Sequence, residues 1–186
     1  MENWVNLAVL SVRNPAEAAR RVIALDLSRD ALWIAIALVS VLNTLVFSLS
    51  NMALPVPLPP VMTAPAIYFL MSAGSLVLAI IALFWTGRAL GGQGSMTDVM
   101  SVVVWLQVLR LIVQAFSFVL IIVAPGVSAL FVMIAGLIGL WIMLHFVNEA
   151  HRFGSLWRAF GVLIAAFLAI VMGLSLVLSL IGVGGM

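Results

Sequence analysis

Hydrophobic positions run along this chain in five long blocks, separated by short polar or glycine- and proline-rich breaks. The blocks fall at about 31–49, 66–85, 99–123, 127–147 and 158–181. Each is close to or above the ~20 apolar residues needed to cross a hydrocarbon core ~30 Å thick. The pattern predicts an all-α chain: a polytopic transmembrane bundle of five spans over residues 31–186, preceded by an N-terminal amphipathic, interfacial segment over residues 1–30.

That first segment has two parts. Residues 1–12 are apolar with Trp4, Asn3 and Asn6 among them, which suits a short helix in the membrane interface, with a disordered tail as the alternative. A helix with a legible start follows: Asn14 as N-cap, Pro15 at the first helical position and Glu17 three residues after the cap. Arg13, Arg20, Arg21 and Arg29 flank or lie on this helix and are candidates to reach lipid headgroup phosphates while the alanines and valines beside them rest on lipid. Glu2 stands where a secretory leader carries a basic residue, and Arg13 comes after the apolar stretch, so the N-terminus is expected to be retained.

The breaks between spans carry their own signals. Residues 52–65 are uncharged and hold Pro55, Pro57, Pro59, Pro60 and Pro65, predicting an extended, stiff strap. The next break holds Gly91, Gly92 and Gly94, read as a tight reversal that uses positive φ. It lacks the lysine and hydroxyl pair of a P-loop and joins two apolar helices, so nucleotide binding is not expected. Ser95 and Asp98 form a capping pair for the third span. The turn at 124–126 is short enough to make the third and fourth spans antiparallel neighbours. In the fifth span Gly161, Ala165, Ala169 and Gly173 recur four apart, a small-residue face that admits a second helix closely.

Composition supports the membrane reading. The chain is 66% hydrophobic and 8% charged, against about 25% charged residues in soluble domains. Cysteine is absent, which removes disulfides, thiolate metal sites and thiol catalysis. All eight cations are arginine, and no basic run with interleaved aromatics offers a nucleic-acid groove. Arg13, Arg20, Arg21, Arg29, Arg88, Arg152 and Arg158 fall on one side of a five-span topology, the side expected to be cytoplasmic. This places the N-terminus in the cytoplasm and the C-terminus outside, in what is expected to be a bacterial inner membrane. Trp33, Trp85 and Trp157 sit at the cytoplasmic ends of their spans as interfacial anchors.

Arg110 stands apart, twelve residues beyond Asp98 and so roughly 18 Å into the membrane. The same depth arithmetic brings Asn43 and Ser75 to its level, with Gln107 and Gln114 on its own helical face. We therefore expect an intramembrane polar layer of Asn43, Ser75, Gln107, Arg110 and Gln114. No carboxylate is predicted there, leaving neutral side chains, backbone carbonyls, a lipid phosphate or an anion as partners; a structural tether and an anion or substrate site both remain open. His145, Glu149 and His151 lie near one another at the end of the fourth span, but not at zinc-protease spacing. They are read as interfacial hydrogen bonding, with Glu149 paired to Arg152. No catalytic residues, metal site or cofactor are expected, since no nucleophile, base and orienter gather on one side.

Three stretches carry a family resemblance: Asn14-Pro15-Ala16-Glu17, Gly91-Gly92-Gln93-Gly94-Ser95, and Gly139-Leu140-Trp141 through Glu149-Ala150-His151-Arg152-Phe153-Gly154. Together they resemble compact, bacterial-type members of the Yip family, the Ypt/Rab-interacting membrane proteins, over roughly residues 10–180. The resemblance implies five membrane helices and a cytosolic N-terminus. In eukaryotic relatives it implies small GTPases as partners and a role in vesicle traffic or membrane shaping. This chain shows neither the long cytosolic N-terminal region of those relatives nor their aspartate-leucine-x-glycine-proline motif, and the proline often present in the third span is absent. A small GTPase is therefore not the expected partner. The expected role is non-enzymatic, through contact with membrane lipids, with itself as a homo-oligomer, or with a larger membrane complex, as an organiser or accessory subunit. A small transporter or anion channel built on the layer around Arg110 is the alternative.

Overall fold

In a computed structural model, the structure describes residues 3–53, 57 and 59–180, without the side chains of residues 60, 62, 178 and 180. Pro55, Ile181 and the glycine-rich tail from 182 lie outside the described residues. Among those described the chain is helical throughout, in eight elements: α1 (Trp4–Arg13), α2 (Pro15–Ala24), α3 (Arg29–Ala53), α4 (Pro60–Thr63), α5 (Pro65–Ala89), α6 (Met96–Val123), α7 (Pro125–His151) and α8 (Leu156–Leu180). Five of them, α3 and α5 to α8, are long and apolar enough to cross a membrane. At 25 to 28 residues they outrun the predicted blocks by several residues, because polar ends such as Arg29, Arg88 and Asp98 continue the helices past the apolar runs.

Local chemistry fixes the boundaries. The Asn14 side chain accepts from the Glu17 amide and Pro15 opens α2. Ser95 and Asp98 close a reciprocal capping box at the start of α6, each bond 3.0 Å long. The turn expected at 124–126 shrinks to Ala124 alone, because Pro125, with its fixed φ, is already the first residue of α7. The proline strap also differs from expectation: Pro60–Thr63 winds into one helical turn, since consecutive prolines suit a helix start as well as an extended run.

The five long helices form a ring in the order α3, α5, α8, α7, α6 and back to α3, with α5 also touching α6. The short N-terminal pair closes one end of it: α2 packs on α7 and α6, and α1 packs on α2 and α7. Leu7, Ser11, Ala18, Ala19 and Val22 are buried there. The two alanines have no bulk to hold α2 off its neighbours, so the segment read as lying on lipid is in fact docked on protein.

Apart from Arg110, every charged residue described stands at this docked end, together with the turns at 90–95 and 152–155. We call it the charged end. The core follows the same polarity. On α6 the buried residues are 99–105, on α7 they are Ile142, Phe146, Val147, Ala150 and His151 with Ser128 alone beyond, and on α8 Ala159, Val162 and Ala166. On α5 they are Leu76, Ile80, Leu83 and Gly87. Toward the opposite end side chains such as Val119, Ile122, Leu130, Met133, Leu168 and Met172 are exposed. In water this face would collapse; in lipid, tails as apolar as leucine replace the missing contacts and nothing drives closure.

Within this chain the small-residue row of α8 makes few contacts. Gly161 has only Leu90 within van der Waals reach, Ala165 is half-buried, Ala169 is exposed and Gly173 has open space beside it. Ala159, Val162 and Ala166, one helical face over, carry the internal contact. Four-residue spacing alone does not say which of these adjacent stripes packs inside the chain.

Candidate functional site

Two clusters of polar residues stand out, one at the charged end and one at mid-depth. At the charged end the turns between α5 and α6 and between α7 and α8 interlock around His151. Its ring is buried, and among the described residues neither ring nitrogen has a hydrogen-bond partner. Gly87, Gly92 and Gly94 make the room: a Cβ at any of them would run into the His151 ring or, at Gly94, the Ala150 carbonyl. Of the glycines between 87 and 94 only Gly91 has positive φ, at 86°. The expectation that Gly92 and Gly94 also serve by positive φ is thus replaced by close approach. The Gln93 amide donates to the His151 carbonyl at 3.0 Å, joining the two turns, and Arg152 caps α7 with φ 56°.

The Arg20–Glu149 pair binds α2 to this junction, and the pairs to Glu17 lie within α2. Arg20 reaches Glu17 at 3.0 Å and Glu149 at 3.3 Å, and Arg21 reaches Glu17 at 3.1 Å. The Arg21 and Arg20 guanidinium groups hold the Glu17 carboxyl below its usual range. Glu17, and next Glu149, raise the Arg20 guanidinium in turn. The expected Glu149–Arg152 pair does not form: Glu149 faces Arg20, and Arg152 leans to Asp98 at 3.7 Å. His145 turns away from His151, bonding the Trp141 carbonyl at 2.9 Å with its ring 4.9 Å from the indole. No group of three potential metal ligands occurs among the described residues.

One long-range contact went unseen in the sequence. The Trp105 indole donates to the buried Ser11 hydroxyl at 2.9 Å, and Trp4 packs on the same ring at 5.9 Å. Ser11 in turn donates to the Leu7 carbonyl. A buried serine and tryptophan ninety-four positions apart leave no periodic trace.

At mid-depth a cavity of about 240 Å³ lies between α3, α5 and α6, lined by Asn43, Tyr68, Met71, Ser72, Ser75, Leu76, Gln107 and Arg110. Asn43, Ser75, Gln107 and Arg110 come together here from three helices. Gln114, one turn beyond Arg110, is outside the lining. Tyr68 is an addition; its ring stacks on Phe47 at 3.9 Å and ties α3 to α5 beside the cavity. Ser40, Asn43 and Thr44 are buried and spend donors on their own helix, on the carbonyls of Ile36, Val39 and Ser40. The Ser75 hydroxyl does likewise, to Ser72. Arg110 differs: it is exposed to the cavity and forms no hydrogen bond or ion pair with the described residues.

The family model described as the Yip1 domain matches residues 9–177. The chain belongs to the Yip1 family. No curated protein and no solved structure matches it. The Yip1 match opens inside α1 and ends inside α8, so α2, the His151 junction and the Arg110 cavity all lie within the Yip1 domain of this multi-pass membrane protein.

Proposed function

We propose that this Yip1-family chain is a non-enzymatic membrane protein that acts by contacts made inside the bilayer, with lipid, with further copies of itself or with other membrane proteins. One observation carries the reading: the bundle is packed at its charged end and leaves the other half of its long helices without a core. In a bilayer those apolar flanks stand against whatever fills the hydrocarbon beside them, lipid or another helix. The polar groups that could do acid–base work are engaged in structure, with Glu149 and Asp98 in ion pairs or caps and His151 enclosed by glycines. Positive charge at one end favours a cytoplasmic charged end in a bacterial inner membrane.

A photo-crosslinking side chain tests this when placed at Leu168 or Ile121 in the open half, and at Val102 in the core for comparison. In native membranes the open-half positions are expected to capture lipid or a membrane protein, while Val102 captures only its own chain. Equal, purely internal capture at all three sites would overturn the reading. The cavity around Arg110 favours a second reading, a small path for anions, in which vesicles show anion flux that Arg110→Leu abolishes.

A further inference from the structure

The cavity between α3, α5 and α6 assigns Arg110 a ligand. Arg110 lies fourteen residues after Met96 and thirteen before Val123, at the middle of α6. An unpaired arginine at such a depth costs at least ~2.5 kcal/mol, so the charge is retained against a standing penalty. Its surroundings define what would relieve it. The lining contains no carboxylate, and its polar side chains, Asn43, Tyr68, Ser72, Ser75 and Gln107, are neutral. The Gln107 amide, the Tyr68 and Ser72 hydroxyls and the guanidinium supply hydrogen-bond donors on one hollow. A cation is repelled there, whereas an oxyanion meets a fork-shaped donor that suits phosphate.

The hollow, about 240 Å³, is smaller than the ~300–1,000 Å³ usual for a whole small-molecule ligand. It accepts a headgroup and leaves the rest of the molecule outside. Leu76 in its wall is buried, and one turn nearer the charged end on α3 and α5 so are Val39 and Ile80. On its other side the lining residue Met71 is apolar and exposed. This sequence of surfaces, donors within and exposed hydrocarbon at the mouth, matches one amphiphile. We propose that the cavity binds a phospholipid by its phosphate, with Arg110 on the phosphate oxygens and the acyl chains lying along the open half of the bundle.

The inference rests on the reading that the chain works through membrane contacts, and it names the lipid group engaged. The test uses the full chain, purified in mild detergent and delipidated, then titrated with phosphatidylglycerol and followed by native mass spectrometry. Diacylglycerol, which lacks the phosphate, and inorganic phosphate are the parallel probes. The expected result is a one-to-one phosphatidylglycerol complex, little diacylglycerol binding, and a loss of about tenfold or more in Arg110→Gln, the size of a lost charged hydrogen bond. Arg110→Lys keeps part of the binding. Ser72→Leu, which fills the hollow and leaves the arginine in place, gives the same loss and guards against misfolding of the Arg110 variant.

Unchanged phospholipid binding in Arg110→Gln and Ser72→Leu overturns the proposal. So does saturation by inorganic phosphate with no preference for the lipid, which would assign the site to a soluble anion. A membrane protein that replaces phospholipid at the site, and is lost with Arg110, overturns it as well. Crosslinking from Leu168 and Ile121 is unaffected by any of these results, so failure of the phosphate site and failure of the broader reading are separately visible.

Discussion

A methyl group at Gly94 would collide with the Ala150 carbonyl, and one at Gly92 would stand 2.7 Å from the Gly87 carbonyl oxygen and 2.8 Å from His151 Nδ1. Backbone atoms cannot rotate aside as a side-chain tip can. Gly94→Ala is therefore expected to destabilise the chain by about 1–3 kcal/mol, the range for overpacking. Gly91→Ala meets no neighbour but must hold φ 86°, at a cost of about 1–2 kcal/mol. Gly74→Ala, inside α5 and facing open space, is expected to stabilise by about 0.5–1 kcal/mol. Thermal unfolding of the three variants in detergent should rank them in that order. The sequence disclosed that 91–94 is a turn; it did not disclose which glycine turns and which make room, because that depends on a histidine sixty residues away. Arg110 was legible as an oddity for the opposite reason, since a lone charge in an apolar run is conspicuous without any partner.

Among the elements, α2 shows how far an amphipathic pattern reaches. Its cap, its proline and its arginine face were readable, but an apolar stripe of alanines fits lipid and protein equally, and only the burial of Ala18 and Ala19 decides for protein. Removing the indole donor by Trp105→Phe leaves the buried Ser11 oxygen with one partner fewer, and a loss of about 0.5–1.5 kcal/mol is expected. The ion pairs within α2 are also tied to pH. Glu17 has a lowered pKa in the folded chain against an ordinary 4.5, so its contribution is complete above 4.5 and is lost as pH falls through the lowered value. The chain has no cysteine, so Ala19→Cys is a clean probe. Its thiol is expected to be protected from a water-soluble reagent at neutral pH, as the burial of Ala19 requires. The fall in thermal stability below pH 4.5 should be smaller in Glu17→Gln, measured by unfolding in detergent across that pH range.

For the whole molecule, the number of spans and the gathering of charge at one end follow from block hydropathy and arginine placement. The uneven core does not, because α7 and α8 are apolar on every side and no stripe marks which half will pack. Packing in lipid is decided by shape, and residues 142–151 are held by docked helices and interlocked turns that the opposite half lacks. Mutations of equal size should reflect this: Phe146→Ala is expected to cost about 3–5 kcal/mol, whereas Phe167→Ala, at an exposed position, should stay within ~0.5 kcal/mol. Unfolding of the two variants in the same detergent checks the contrast.

The single residue between α6 and α7 limits how the unpacked half can rearrange. A ratchet of one helix past the other by a full turn needs ~5.4 Å of slack, while one extended residue spans at most ~3.6 Å. Axial slippage of this hairpin is thereby blocked at Ala124, and the remaining freedom is angular, the two helices opening and closing like tongs about their joined tips.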